Sequence, residues 1–321
     1  MTRIPGVVAL ATLALLAAEA AAQAYPTRPV RLIVPFPPGG ATDTFSRVTA
    51  AELTKSLGQQ VIVENRPGAG TTIGADHVAK SAPDGHTLFF TDLSTHTITT
   101  SLYSKLPYHP LKDFAPVAAV NSSPLLLVGH PSVGVKTVRE LVALAKKHPG
   151  ITVANSGIGT VTHMTAEKFS MRAGIKVTAV SYKGGATPVI AALGGEVALV
   201  MATVPASVQH VQRGKLVALG LAAARRSPHL PGVPTIGETI KDVEGAVISG
   251  VLAPAGTPRN VIDRLNAEFA KASEAPRVKE VYAENAAEAL RLSPDELRKS
   301  LERDVKAWAV VVDATGVKLN Q

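Results

Sequence analysis

Short β-branched runs alternate with segments of helical spacing along most of this chain. VRLIV (30–34) and ITVAN (151–155) are typical strands, and each leads through a glycine-containing loop into a helical segment, around 43–57 and 162–174. Repeated strand–helix pairs of this kind indicate parallel strands joined by helical crossovers. The sequence therefore predicts an α/β fold with mostly parallel sheets.

The recurrence of this strand–loop–helix unit predicts two lobes. Two extended stretches, near 115–127 and near 245–253, indicate that the chain crosses between the lobes twice. We place lobe 1 at 25–125 plus 247–321, where it includes the C-terminal helices, and lobe 2 at 126–246.

The start of the chain resembles a secretory signal peptide. Arg3 supplies a positive charge, Val7 to Ala18 form a short apolar core, and Ala22-Gln23-Ala24 is a small-x-small cleavage signal. These features predict a signal peptide over residues 1–24, with export and cleavage before Tyr25. The chain has no cysteine, which excludes disulfides, thiol catalysis, cysteine-based zinc sites and a lipoprotein anchor. We therefore expect a free periplasmic protein.

The charge pattern argues against nucleic acid as a partner. The formal net charge is +8, but the basic residues are scattered and form no block interleaved with aromatic residues. A modest positive field attracts small anions, although a basic, soluble surface accounts for the charge equally well. The nine histidines show no H-E-x-x-H pattern, so the sequence predicts no metal site.

The segment VPFPPGGATD (34–43) joins the first strand to the first helix. Helix N-termini present unpaired N–H groups, and glycines let a ligand approach them closely, so this loop can bind an anion without a charged side chain. It lacks the lysine of a G-x-x-x-x-G-K-[ST] loop and is not G-x-G-x-x-G, which disfavours nucleotide phosphate and leaves carboxylate. The alternative is a tight connection in which Asp43 caps the helix.

A second loop, NSGIGT (155–160), precedes the helix that carries His163. A nucleophilic role for Ser156 is the rival interpretation, but its surroundings are not G-x-S-x-G and no base is set by spacing. Two further loops, TDLSTH (91–96) and YKGGATP (182–188), also follow strands. Ligands of open α/β sheets bind beyond the carboxyl ends of strands, so we expect these loops to face one cleft.

Six segments together carry a resemblance to a known family. In chain order they are VRLIVPFPPGGATD, VIVENRPGAGTTIGADHVAKSAPDGHTL, SLYSKLPYHPLKDFAPV, ANSGIGTVTHM, VSYKGGATPVIAALGGEV and LAPAGTP. They are similar to the Bug (TctC-type) receptors of tripartite tricarboxylate transporters, over nearly all of the mature chain. The resemblance implies a two-lobed periplasmic binding protein of the Venus-flytrap, type II-like fold. Such a receptor closes over a small organic anion, often a mono- or dicarboxylate, and delivers it to membrane permease subunits.

The resemblance also implies that backbone amides and water hold the ligand carboxylate between two strand–helix loops. The ligand-binding residues that it implies are Phe36, Pro38, Gly39, Gly40, Ala41, Thr42, Asp43, Thr91, Ser94, Thr95, Ser156, Gly157, Gly159, Thr160, His163, Tyr182, Ala202 and Thr203. Family members often carry an acidic residue at Ala202 and an aromatic residue near Ile248. These departures predict a less polar, differently shaped pocket.

We accordingly expect no catalytic residues, no cofactor and a monomer. Three other roles remain open at this point. A ligand-loaded receptor can also contact a periplasmic sensor. A regulator's effector domain shares the two-lobed plan but needs a DNA-binding module and no export signal. A hydrolase that uses Ser156 needs a base beside it.

Overall fold

The computed structural model describes residues 25–319, so the predicted signal peptide lies outside the described residues. The strands are β1 (Val30–Val34), β2 (Val61–Asn65), β3 (Thr87–Asp92), β4 (Phe114–Gly129), β5 (Ile151–Asn155), β6 (Val177–Ser181), β7 (Leu199–Thr203), β8 (Val217–Ala222), β9 (Ala246–Pro254) and β10 (Glu288–Ala289). The helices are α1 (Ala41–Leu57), α2 (Thr72–Ala79), α3 (Leu93–Leu102), α4 (Val138–Lys147), α5 (Val161–Ala173), α6 (Thr187–Leu193), α7 (Val204–Gln212), α8 (Arg259–Ser273), α9 (Pro276–Glu284) and α10 (Pro294–Thr315). Short 3-10 turns occur at Ala69–Thr71, Pro131–Val133 and Ile236–Glu238.

The strands follow the order β2-β1-β3-β9-β4-β7-β5-β6, and β8 and β10 also pair with β4. The α/β class is confirmed, and the sheet is mixed. Parallel pairing holds at the two outer ends, β2-β1-β3 and β7-β5-β6, where helical crossovers join the strands. The pairings of β4 and β9 are antiparallel. The expectation of mostly parallel sheets is thus met only outside these two central strands.

Two strands, β4 and β9, connect the two lobes. Residues 114–124 of β4 pair with β9, whereas residues 125–129 pair with β7 and β8. The last β9 pair is Pro124 with Ala246. The next residue, Leu125, donates its N–H to the carbonyl of Gly245 at 3.0 Å. The strand β4 therefore changes partners at the level where β9 begins, between Pro124 and Leu125.

The connecting strand β4 is buried on both faces within lobe 2. Leu125 and Leu127 belong to one apolar cluster, and the alternate residues Leu126 and Val128 belong to a second. A strand covered by helices on both sides reads as a continuous apolar run, as LLLV does here. The C-terminal helix α10 packs against α3 and β4 and also touches α5. Within residues 25–319, no helix is both long enough and apolar enough to cross a membrane.

Helix boundaries follow local signals where those exist. The helix α1 ends at Gly58 (φ 68°) and α5 ends at Gly174 (φ 59°), both left-handed C-caps. The reading of residues 91–96 as a loop is wrong, because β3 continues to Asp92 and α3 begins directly after it. The Asp92 side chain caps α3 by accepting hydrogen bonds from the N–H groups of Ser94 (3.1 Å) and Thr95 (3.2 Å).

Candidate functional site

The loop between β1 and α1 brings main-chain donors to the space between the lobes. Gly39 adopts a left-handed conformation (φ 91°), which glycine tolerates without strain. Gly40 is the N-cap of α1, and no side chain caps this helix. The N–H groups of the first turn have no partner inside the helix. They carry partial positive charge that suits an anion.

Asp43 braces this loop. Its carboxylate accepts hydrogen bonds from the guanidinium of Arg47 (3.0 Å), the side-chain amide of Asn65 (2.9 Å) and the N–H of Gly39 (3.1 Å). Burial by itself raises the pKa of Asp43, but these hydrogen bonds and the charge of Arg47 outweigh burial and hold the pKa below its usual value. The carboxylate is therefore ionised and committed to the loop.

The loop between β5 and α5 is held by its own hydroxyl and amide groups. The N–H of Ser156 donates to Thr162 Oγ1 (2.9 Å), and the N–H of Gly157 donates to Asn155 Oδ1 (3.0 Å). The Thr160 hydroxyl donates to the carbonyl of Gly157 (2.7 Å) and caps α5. These bonds fix the loop without using the Ser156 hydroxyl.

The two lobes touch through glycines. A Cβ added at Gly185 would lie 3.0 Å from the Cα of Gly40, and one added at Gly184 would lie 2.8 Å from Pro37 Cδ. Below and near 3 Å a side chain needs its neighbours to move, so only glycine permits this approach. The cleft is therefore closed, with backbone against backbone.

A chamber of about 30 Å³ remains between the lobes. One water molecule needs a cavity of about 10–15 Å³ on this measure, so the chamber has room for a group about the size of a carboxylate. The chamber is lined by Phe36, Gly40, Ala41, Thr42, Asp92, Thr95, Ser156, Thr160, Val161, Thr162, Gly185, Thr203 and Val247.

Two hydroxyls on the chamber wall have no hydrogen-bond partner in the protein. They are Ser156 Oγ and Thr203 Oγ1, and both atoms are buried. Thr203 is also the N-cap of α7, with no side-chain cap bond of its own. Buried hydroxyls are normally satisfied. These two hydroxyls are therefore available to a ligand in the chamber.

Asp92 is the single charged residue on the chamber wall among residues 25–319. Its oxygens accept hydrogen bonds from Thr95 Oγ1 (2.5 Å) and the N–H of Ile248 (3.1 Å), besides the two cap bonds of α3. Burial raises the pKa of Asp92 to about 6, and these four donors limit the rise. Its carboxylate is committed to protein groups, so the free donors in the chamber are neutral.

An outer cavity of about 630 Å³ adjoins the chamber and shares Phe36, Ser156 and Thr160 with it. Its lining is Pro35, Phe36, Pro37, Pro67, Gly68, Ala69, Gly70, Thr71, Tyr103, Ser156, Gly157, Ile158, Thr160, Ser181, Tyr182, Lys183, Gly184 and Leu319. This volume lies in the range of small-molecule sites. Because they share these three wall residues, the chamber and the outer cavity together define the candidate site.

A rear cavity of about 620 Å³ lies on the other face of the connecting strands. Side chains alternate along a strand. Accordingly, Val247 of β9 lines the chamber while Ala246 and Ile248 line the rear cavity. Ser94, which the resemblance places at the ligand, lines the rear cavity.

Ten of the eighteen predicted site residues line the chamber or the outer cavity: Phe36, Gly40, Ala41, Thr42, Thr95, Ser156, Gly157, Thr160, Tyr182 and Thr203. Pro38, Gly39, Asp43, Thr91, Gly159, His163 and Ala202 line neither. Ala202 is buried in the apolar cluster of lobe 2, because it points to the opposite face of β7 from Thr203. Ile248 faces the rear cavity, so its departure from the family pattern lies outside the chamber wall.

His163 supports the second loop. Its Nδ1 accepts a hydrogen bond from the N–H of Gly159 at 3.2 Å, and burial lowers its pKa to about 4, so the ring is neutral. A Cβ on Gly159 would lie 1.9 Å from Leu102 Cδ2, where this loop meets α3. Within the described residues, no histidine or carboxylate bonds to Ser156 Oγ, so the hydrolase interpretation lacks its base.

Sequence reasoning missed five chamber residues: Asp92, Val161, Thr162, Gly185 and Val247. Gly185 lies in the glycine-rich segment already singled out, and Asp92 precedes hydroxyl residues in a pattern typical of an N-cap. Val247 carries no local signal, since its place depends on strand register. Within residues 25–319, no group of histidine, aspartate and glutamate side chains is arranged to hold a metal ion.

Two α/β lobes joined by two strands and closed over a chamber at the strand ends define a solute-binding protein of the periplasmic type. The family described as "Tripartite tricarboxylate transporter family receptor" matches residues 45–317. The chain belongs to this family.

Individual relatives agree with this assignment. Protein BugT of Bordetella pertussis is 38% identical over 323 residues, covering 99% of this chain and 99% of BugT. The structure of the periplasmic binding protein BugD is 32% identical with a TM-score of 0.87, covering 92% of this chain and 100% of that one. A structure of Rpa4515 from R. palustris with adipate is 32% identical with a TM-score of 0.88, with 92% and 100% covered. The chain is therefore a periplasmic solute-binding receptor rather than an enzyme.

Proposed function

We propose that this receptor binds a small carboxylate between its lobes and delivers it to the membrane subunits of a tripartite tricarboxylate transporter. One observation carries the proposal: Ser156 Oγ and Thr203 Oγ1 are buried donors without protein partners, in the same chamber as the uncapped N-terminus of α1. Adipate in the related Rpa4515 structure is a ligand of the same chemical class.

Neutral donors suffice for useful affinity. Hydrogen bonds to a charged group contribute about 1.5–3 kcal/mol each. Two hydroxyls and two first-turn N–H groups thus supply roughly 6–12 kcal/mol before the entropic cost of association. Micromolar binding needs about 8 kcal/mol net. Closure over the ligand excludes water and strengthens each of these bonds.

The remaining parts of the proposal concern the mature protein. Export removes residues 1–24 and leaves Tyr25 at the N-terminus. Lobe 1 comprises 25–125 and 247–321, and lobe 2 comprises 126–246. The receptor acts as a monomer, since one chain contributes both loops of the site.

The test uses protein that starts at Tyr25, with a panel of mono- and dicarboxylates measured by thermal shift and calorimetry. At least one acid is expected to raise the melting temperature and bind with 1:1 stoichiometry. Ser156→Ala and Thr203→Val are each expected to lower the affinity for that acid about tenfold. This loss corresponds to one hydrogen bond of ~1.4 kcal/mol. Thr178→Val, on an exposed position of β6, is the matched control.

Folded protein that binds no acid in the panel would contradict the proposal, as would unchanged affinity in the Ser156→Ala, Thr203→Val double variant. Delivery is tested separately with membrane vesicles that contain the permease subunits. Uptake of the identified acid is expected to require the receptor, and receptor-independent uptake would refute delivery.

A further inference from the structure

The chamber is too small for a whole metabolite. At about 30 Å³ it has room for about one carboxylate group, whereas the outer cavity offers about 630 Å³. The two spaces meet at Phe36, Ser156 and Thr160. The outer cavity is thus the neighbouring space that can take the rest of a molecule whose carboxylate is held by the free hydroxyls of the chamber.

The wall of the outer cavity is mostly apolar. It presents the rings of Phe36, Tyr103 and Tyr182 and the side chains of Ile158 and Leu319, together with three prolines. Ile158 leaves 45% of its surface exposed on this wall. Contact with an apolar part of a ligand would cover it.

The part of this wall around Tyr103 is held in place by the protein itself. The Tyr103 hydroxyl donates to the carbonyl of Ala69 at 3.0 Å, and a Cβ on Gly70 would lie 2.4 Å from that hydroxyl. Gly70 is left-handed (φ 60°), so the loop follows the tyrosine closely. A surface fixed in this way loses little side-chain entropy when a ligand binds.

One charged side chain, Lys183, lines the outer cavity among residues 25–319. Lys183 is exposed, and no carboxylate of the described residues forms a salt bridge with it. An exposed ammonium attracts a second carboxylate only weakly through water. A second carboxylate against the apolar wall would lose hydration without gaining partners.

We infer that the ligand is a monocarboxylate with an extended apolar tail, held by its acid group in the chamber and by its tail in the outer cavity. The inference rests on the proposed carboxylate site and names the class of acid that it takes. It separates this chain from its relative Rpa4515, whose structure contains the diacid adipate.

The decisive experiment compares acids matched in length, by calorimetry at pH 7.5. Hexanoate is expected to bind at least tenfold more tightly than adipate, and butyrate more tightly than succinate. The affinity for hexanoate is also expected to exceed that for butyrate by about fourfold per added methylene, the gain for burying one methylene. Adipate that binds as tightly as hexanoate would overturn the inference and leave the proposed function intact. Failure of every acid would refute the proposed function itself.

Variants give an independent readout. Ile158→Ala is expected to lower the affinity for hexanoate about fivefold and the affinity for butyrate by less than twofold. Ile190→Ala is the matched control, because Ile190 is also a large exposed aliphatic residue (64%) but lies on α6 away from both cavities. Equal losses for both acids in Ile158→Ala would contradict the placement of the tail. Lys183→Gln is expected to keep the affinity for hexanoate within twofold of the wild type. A tenfold loss of affinity would overturn the inference of a monocarboxylate ligand.

Discussion

Replacing Thr95 by valine should weaken ligand binding by destabilising the closed cleft. The Thr95 hydroxyl on α3 of lobe 1 accepts a hydrogen bond from the N–H of Val161, at 3.1 Å, at the start of α5 in lobe 2. The single hydroxyl proton is already donated to Asp92. Towards lobe 2 this oxygen is therefore an acceptor only, and it ties the lobes together in the closed state.

The expected size of the effect follows from the fate of the Val161 N–H. In the closed form of Thr95→Val this donor is buried without a partner, whereas in an open form it bonds to water. A buried unsatisfied donor costs about 1–3 kcal/mol. We take the free energy of closure to become less favourable by about 1–2 kcal/mol. A ligand that binds the closed form should then lose about 5- to 30-fold in affinity.

The assay is calorimetry with the tightest acid found, together with small-angle scattering to follow closure. Thr97→Val is the matched control, since Thr97 Oγ1 is buried in the same helix and bonds only to the carbonyls of Leu93 and Ser94. It should lose stability but keep its affinity within twofold, and Thr95→Ser should bind like the wild type. Wild-type affinity in Thr95→Val, or an equal loss in Thr97→Val, would refute the reasoning.

Two further predictions concern pH. The pKa of His163 is lowered to about 4 by burial against about 6.5 when unfolded, so its contribution to stability is full above pH 6.5 and is lost as pH falls towards 4. His163→Asn keeps an acceptor for Gly159 and should therefore lose about 2 kcal/mol less unfolding free energy than the wild type between pH 7.5 and 5, measured by urea denaturation. An equal loss in both proteins would contradict this. The Asp92 carboxylate would be a like charge beside an acid bound in the chamber, and burial raises its pKa to about 6. The affinity for hexanoate should therefore rise several-fold between pH 7.5 and 5.5 as Asp92 is protonated. Constant or falling affinity in calorimetry would exclude this coupling.

The sequence predicted those parts of the fold that local patterns determine. The strands at 30–34 and 151–155 carry β-branched runs, and the helices after them end at Gly58 and Gly174 as their glycines indicate. The helix α3 was not predicted because its sequence, LSTHTITTSL, is rich in threonine, a weak helix former. Its stability comes instead from burial and from its Asp92 cap. The antiparallel centre of the sheet was not predicted because it depends on pairing between residues far apart in the chain, such as Phe114 with Pro254 and Gly129 with Leu199.

The candidate site likewise has features that the local sequence predicts and features that depend on register and packing. The glycine-rich loops were recognisable because their conformational requirement is local. The sequence did not show that Thr203 rather than Ala202 lines the chamber. Adjacent strand residues face opposite sides of the sheet, and only the register decides which of them meets the chamber. Likewise, Val161 and Val247 line the chamber through the packing of one lobe on the other, which no single segment encodes.

The meeting of Gly40 with Gly185 has a consequence for how this receptor can diversify. In the proposed site, the close approach of the lobes that encloses the acid group depends on backbone shape, which most substitutions at these two glycines would disturb. The contacts proposed for the remainder of the ligand come from side chains such as Ile158 and Tyr182, which lie outside this glycine contact. Duplicated copies of such a gene can thus acquire new cargo by altering a few wall positions while the anchoring mechanism is inherited unchanged.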